Sequence, residues 1–163
     1  KSQDLDDIRQ AAAGLAAIID VEMGLHVEFC ASWGLSLSDM QALPEAEETM
    51  AYTRYVLEKG LSGDLLDLHV ALAPCVLGYA EIGRNLSGMS AANPYSAWIE
   101  MYASDDYQEV AAGAADQLDR LFESRAGEGR WPELVKTFAQ ATRLEIAFWD
   151  MGMKAAAVSE PAK

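Results

Sequence analysis

The feature that most limits this chain is a helical spacing of apolar residues that never gives way to another pattern. From Asp4 to about Ala157, apolar side chains recur three and four positions apart, which places them on one face of a helix. No run alternates β-branched and polar residues as a half-buried strand would, and no Asn-Gly hairpin turn occurs. Ala, Leu, Glu and Met dominate, and all four favour helix. The spacing predicts an all-α bundle of antiparallel helices, formed as a single domain over residues 1–163.

The predicted elements follow from this spacing and its interruptions. A first long helix covers about Asp4 to Trp33, with Leu5, Ile8, Leu15, Ile18, Leu25, Phe29 and Trp33 as its stripe and Gly34 as its stop. A short helix is capped near Ser36 or Ser38. Pro44 opens the next, which carries Tyr52, Tyr55 and Val56 and stops at Gly60. Ser62-Gly63-Asp64 starts a long helix to about Leu86, and Ser87 to Pro94 is a loop. Helices over about Tyr95–Tyr102, Asp105–Ser124 and Trp131–Ala157 complete the order, with a frayed tail from Ser159. The chain opens on polar residues, without a signal peptide and as if already inside a helix, so the front of a longer protein is expected to precede it.

Charge and cysteine content narrow the partners. A formal net charge of −14 offers no basic stripe for phosphates, so nucleic acid, anionic membranes and highly phosphorylated ligands are disfavoured, and a neutral or cationic small molecule fits better. The longest apolar stretch, around Val70 to Tyr79, is broken by Pro74 and Gly78, so no membrane span is expected. Two cysteines without a secretory signal point to a reducing, cytoplasmic compartment; a Cys30–Cys75 bridge is the minor alternative. Neither a CxxC pair nor a Glu-x-x-His repeat is present, which argues against a metal.

Three stripes contain a residue that does not suit a core. Cys75 sits in the stripe Leu65, Leu68, Leu72, Cys75, Tyr79, Ile82, Leu86, directly after Pro74. A proline there removes one backbone donor and costs about 3 kcal/mol in an isolated helix. Either the kink shapes a pocket around an inward thiol, or Cys75 is a small apolar core filler. Glu145 lies in the stripe Leu134, Phe138, Ala141, Glu145, Phe148, Gly152, where lost hydration should raise its pKa and suit it to proton transfer. The alternative is a structural pairing with a buried Arg or Tyr. Glu22 and His26 share a face of the first helix and read as a structural hydrogen-bond pair. Tyr52, Tyr79 and Tyr102 occupy apolar stripes of three helices, as core packing or as a stacking surface for a flat ligand. His69 lies off the Cys75 stripe, which leaves a Cys-His dyad little support.

Several blocks together resemble the TenA (thiaminase II) family. Ala73-Pro74-Cys75-Val76-Leu77-Gly78-Tyr79-Ala80-Glu81-Ile82-Gly83 is similar to its Pro-Cys, Tyr, Glu-(Ile/Val)-Gly pattern. Tyr95-Ser96-Ala97-Trp98-Ile99-Glu100-Met101-Tyr102 is similar to its Tyr-x-x-Trp-Ile-x-x-Tyr segment, and Glu145-Ile146-Ala147-Phe148-Trp149 to its Glu-x-x-Phe-Trp. Glu22-Met23-Gly24-Leu25-His26 and Ala51-Tyr52-Thr53 match in order. Nothing before Leu15 matches the family's opening helices, which carry an acidic residue that grips the pyrimidine and an aromatic that stacks on it.

The resemblance implies a heme-oxygenase-like bundle, usually a homotetramer, that works without cofactor in thiamin salvage. It implies hydrolysis of an aminomethyl-pyrimidine, in some members of thiamin, with Cys75 as nucleophile and Glu145 as proton-transfer carboxylate. Tyr52, Tyr102 and Phe148 match the pocket aromatics, and Tyr79 stands behind them. A non-catalytic binding or regulatory protein on the same scaffold is the main alternative. A quinone-cofactor oxidase or a heme enzyme ranks lower, because His26 and His69 are the only histidines.

Overall fold

The computed structural model describes residues 2–89 and 93–159. It has no strand among the described residues, in agreement with the all-α expectation. The chain divides into two compact units, residues 1–46 and 47–163.

The first unit is built from α1 (Leu5–Ala17), a π-helical turn (Ile18–Glu22), α2 (Met23–Ser32) and α3 (Leu37–Ala42). Asp4 caps α1 by accepting from the amides of Asp6 and Asp7. Ser36 and Asp39 form a reciprocal capping box on α3. Gly34 takes φ +82°, the left-handed conformation that ends a helix and favours glycine. The predicted apolar stripe does not form a core here: Leu5, Ile8, Leu15, Ile18 and Trp33 are all exposed.

The second unit contains α4 (Glu47–Ser62), α5 (Leu65–Leu86), α6 (Ser96–Ala103), α7 (Asp105–Arg125) and α8 (Trp131–Ser159). Two helix boundaries differ from expectation. Pro44 lies outside α4, which starts at Glu47, and Gly60 lies inside it, because the helix runs on to Ser62. The Ser87–Met89 part of the predicted loop is a 3₁₀ turn. Residues 90–92 of that loop, and the tail beyond Ser159, fall outside the described residues.

Helix α5 is the centre of this unit and packs on α4, α6, α7 and α8. Residues Leu65–Met89 are long and apolar enough to cross a membrane by length and composition alone, which the short Val70–Tyr79 run understates. A third of that apolar window is buried inside the unit. The deepest face is Leu66, Ala73 and Ala80, a heptad apart, with Ala71, Pro74 and Gly83 beside it. Small side chains let the neighbours come close. A Cβ on Gly83 would lie 2.5 Å from the carbonyl carbon of Tyr102, so α6 crosses α5 where only glycine fits. Gln108 Nε2 fastens the same crossing by donating to the carbonyls of Ala80 and Tyr102, both at 3.0 Å.

One end of the unit is sealed by Leu66, Leu121 and Leu134, from α5, α7 and α8. Over it, Arg130 donates to Asp64 Oδ2 at 2.9 Å and to Asp67 Oδ2 at 2.8 Å. Asp64 and Asp67 also form the capping box that starts α5. Leu66 meets Leu134 at this end, and Tyr79 meets Trp149 further along. Helices α5 and α8 therefore run in the same direction, with α7 returning between them. The expectation of antiparallel neighbours holds for α5 with α7 but fails for α5 with α8, because two helices intervene in the chain.

Candidate active site

Three helices of the second unit bring Tyr52, Cys75 and Glu145 together. Tyr52 lies on α4, Cys75 in the middle of α5 after Pro74, and Glu145 on α8 four residues after the fully buried Ala141. Pro74 is accepted inside α5 and is itself buried. The Cys75 thiol donates to the carbonyl of Leu72 at 3.1 Å, one turn back.

Glu145 is 8% exposed, as its place on the α8 stripe predicts. Burial raises its pKa, and a hydrogen-bonding interaction with Tyr52 offsets part of the rise. Tyr52 is pushed far above the ordinary phenol range, by burial first and then by Cys75 and Glu145. Its hydroxyl is thus coupled to both reactive groups. Neither approach reaches well-formed hydrogen-bond geometry, since Tyr52 Oη and Glu145 Oε2 are buried without a partner among the described residues. A buried polar oxygen left this way costs about 1–3 kcal/mol, so both atoms are placed to gain from a donor or acceptor that enters the site.

Glu145 also faces a cavity of about 190 Å³ between α5 and α8. Its other walls are Pro74, Gly78, Tyr79 and Ile82 from α5 and Phe138, Thr142, Ile146 and Trp149 from α8. The lining is almost wholly apolar, which suits a flat, weakly polar ring better than a charged group. Tyr79 is the hub of an aromatic cluster, with ring centroids 6.0 Å from Trp98, 5.1 Å from Tyr102 and 5.8 Å from Trp149. Tyr102 is 1% exposed and forms the floor beneath Tyr79, packed edge-on by Tyr107. Phe148 is half-buried three residues after Glu145 and is not part of the cavity wall.

The structure therefore joins Cys75, Tyr52 and Glu145, sets Tyr79 with Glu145 on the cavity, packs Tyr102 against Tyr79, and leaves Phe148, like Cys75 and Tyr52, out of the cavity wall. Trp149, Thr142, Phe138 and Ile82 line the cavity but were not among the expected site residues. Trp149 follows Phe148 in the quoted block, and Phe138 and Ile82 lie on the stripes that carry Glu145 and Cys75. That position was the available signal. The expected Glu22–His26 hydrogen bond is not formed: His26 Nε2 and Glu22 Oε1 stand 3.9 Å apart, an ion-pair distance, with both side chains over a third exposed. Cys30 and Cys75 form no disulfide. No cluster of three metal-ligating side chains occurs among the described residues.

Comparison with known proteins agrees with this architecture. The model of the TENA/THI-4/PQQC family matches residues 1–155. An aminopyrimidine aminohydrolase from Halalkalibacterium halodurans is 36% identical over 154 residues, covering 93% of this chain and 68% of that protein. An uncharacterised Haemophilus influenzae protein is 37% identical over 139 residues, covering 83% of this chain and 64% of its own length. Among solved structures, a TenA family transcription regulator from Silicibacter sp. TM1040 superposes with a TM-score of 0.87 at 43% identity, covering 93% of this chain and 70% of that one. The chain thus spans about two thirds of the length of these relatives.

Proposed function

The chain belongs to the TENA/THI-4/PQQC family, and on that premise we propose that it is an aminopyrimidine aminohydrolase, a hydrolase of C–N bonds that acts in thiamin salvage. The observation that carries this reading is the convergence of Tyr52, Cys75 and Glu145 from three helices, with Tyr52 Oη and Glu145 Oε2 buried and unpartnered among the described residues. A nucleophile needs a group that takes its proton and later returns it, and this arrangement supplies one without a cofactor.

In the proposed cycle, Glu145 accepts the Cys75 proton and the sulfur adds to the electron-poor pyrimidine ring, forming a C–S bond. Glu145 then gives the proton to the exocyclic amine, the C–N bond breaks, and ammonia leaves. Water adds to the exocyclic carbon and passes a proton to Glu145. The ring electrons expel the sulfur, which recovers that proton from Glu145. The sum is aminomethyl-pyrimidine plus water giving hydroxymethyl-pyrimidine plus ammonia. Glu145 is the residue shared by the Cys75–Tyr52 group and the apolar α5–α8 cavity, whose wall does not include Cys75, so the ring would extend from that cavity past Glu145 to reach the sulfur, and Tyr52 would keep thiol and acid in register.

Ammonia release from 4-amino-5-aminomethyl-2-methylpyrimidine tests this directly. Cys75→Ser should lower kcat by at least about 10³-fold with the melting temperature held, as loss of a covalent nucleophile does elsewhere. Turnover equal to the parent chain would end the nucleophile assignment.

We further read the protein as a cytoplasmic homo-oligomer, a tetramer by family resemblance. Two cysteines without a disulfide favour a reducing compartment, and the assembly rests on the family resemblance alone. A second reading, a regulatory protein on this scaffold, is favoured by the description of the Silicibacter relative as a transcription regulator. The net charge of −14 opposes direct binding to nucleic acid. Absence of ammonia release by the full-length protein, together with saturable pyrimidine binding, would select that reading.

A further inference from the structure

On the far side of α8 lies a second cavity, between α4 and α8, that the proposed reaction does not use. It is an open groove of about 360 Å³. Lys136, Gln140 and Arg143 are spaced four and three apart and form one face of α8, opposite Tyr55 and Lys59 one turn apart on α4. Three of the 12 Lys and Arg side chains in a chain of net charge −14 thus line one groove, against a single lining carboxylate, Glu133.

Outside the groove, Arg9 is matched by Asp6, Arg84 by Glu81, and Arg130 by Asp64 and Asp67, while Arg120 donates to the amide oxygen of Gln117. Arg143 likewise donates to an amide oxygen, Gln140 Oε1, at 3.2 Å, and pairs with no carboxylate among the described residues, but it does so on the wall of a groove that holds two further cations. Lys59 is held over the Tyr55 ring, 5.3 Å from its centroid, and lies 3.3 Å from Glu58, which stands outside the groove wall. The Lys136–Glu133 pair is 2.6 Å long, but both side chains are more than 70% exposed, so water screens it and a ligand displaces it at little cost.

We propose that the α4–α8 groove is a binding site for a small dianionic oxyanion of the phosphate monoester class, held by Lys59, Lys136 and Arg143. The guanidinium fork of Arg143 suits two oxygens of such a group, and the ammonium groups add point charges on either side. Arg143 and Glu145 are two residues apart and so project from nearly opposite sides of α8. An anion in the groove therefore sits across the helix from the reacting carboxyl and does not compete with the pyrimidine.

Calorimetric titration of the intact chain with methyl phosphate, at constant ionic strength, tests the site without relying on turnover. Saturable binding is expected, and it should fade as pH falls below about 6, where a phosphate monoester takes up its second proton. R143Q should weaken it by about tenfold, the loss of one charged hydrogen-bonding partner. E133Q should tighten it, a gain that misfolding cannot imitate. Ammonia release should be unchanged in R143Q. Equal binding by the parent chain and R143Q would overturn the proposal, as would displacement by chloride at the same ionic strength.

Discussion

Helices α5 and α8 lie side by side over two stretches that treat polar groups in opposite ways. Where Leu66 meets Leu134, the charged groups overhead satisfy one another, with Arg130 answering Asp64 and Asp67 at 2.8–2.9 Å. Where Cys75 and Glu145 face inward, Tyr52 Oη and Glu145 Oε2 are buried without hydrogen-bond partners among the described residues. The same pair of helices thus spends its packing on stability at one end and keeps uncompensated polarity at the other. Unpaired oxygens survive because the sealed end and the Gly83 crossing hold the fold without them. They are the atoms an incoming ligand completes.

If this division is real, substitutions at the two ends should separate rate from stability. The largest effect is expected from Glu145→Gln, which should lower kcat by about 10²–10⁴-fold, the worth of a positioned proton-transfer group. It should not lower stability at neutral pH. The folded-state pKa of Glu145 is raised, so folding bears no charge-burial cost below the unfolded value, and that cost grows as pH rises through the folded one. Gln removes it, and thermal melts from acid to neutral pH would reveal a loss if the acid were instead structural.

Leu134→Ala tests the opposite end. It should destabilise by about 3 kcal/mol through the cavity it leaves, while kcat changes little. Chemical denaturation alongside kinetics checks this, and a rate loss as large as the stability loss would merge the two regions into one. Tyr52→Phe should cost about tenfold in kcat and leave stability almost unchanged, because the hydroxyl it deletes makes no well-formed hydrogen bond among the described residues. A clear fall in melting temperature would mean that the hydroxyl is bonded in solution.

The smallest effect belongs to the clamp. Burial opposes ionisation of Asp64, but Arg130 and the amides of Asp67 and Leu66 together outweigh it, leaving its pKa below the ordinary value. The stability it contributes is therefore present above about pH 4, the unfolded value, and is lost as pH falls through the lower folded one. Asp64→Asn should cost about 1 kcal/mol at neutral pH, and the gap between it and the parent should close in acid.

Much of this division was legible in the sequence. Glu145 on an aromatic stripe announced a desolvated carboxyl, and Gly34, Ser36 and Asp64 marked helix ends through their own chemistry. The deepest face of α5 was not legible. A search for large apolar residues follows Leu65, Leu72 and Tyr79, whereas close helix crossing selects Ala73, Ala80 and Gly83 for their smallness. The joining role of Tyr52 was hidden as well. A tyrosine on an apolar stripe looks the same whether its hydroxyl meets solvent or two reactive groups on other helices, and only tertiary placement tells them apart. The exposed first unit taught the same lesson in reverse, since periodicity specifies a helix and its apolar face but not what covers it.

The Gly83 crossing also divides the cavity into walls that tolerate redesign and one that does not. With no room for even a methyl group between α5 and the Tyr102 backbone, drift at that position is closed, and the aromatic floor is inherited as a unit. Ile82, Phe138 and Ile146 are exposed at the opposite rim. Changes in substrate range, by laboratory selection or by divergence between species, should accumulate at that rim and leave the floor untouched.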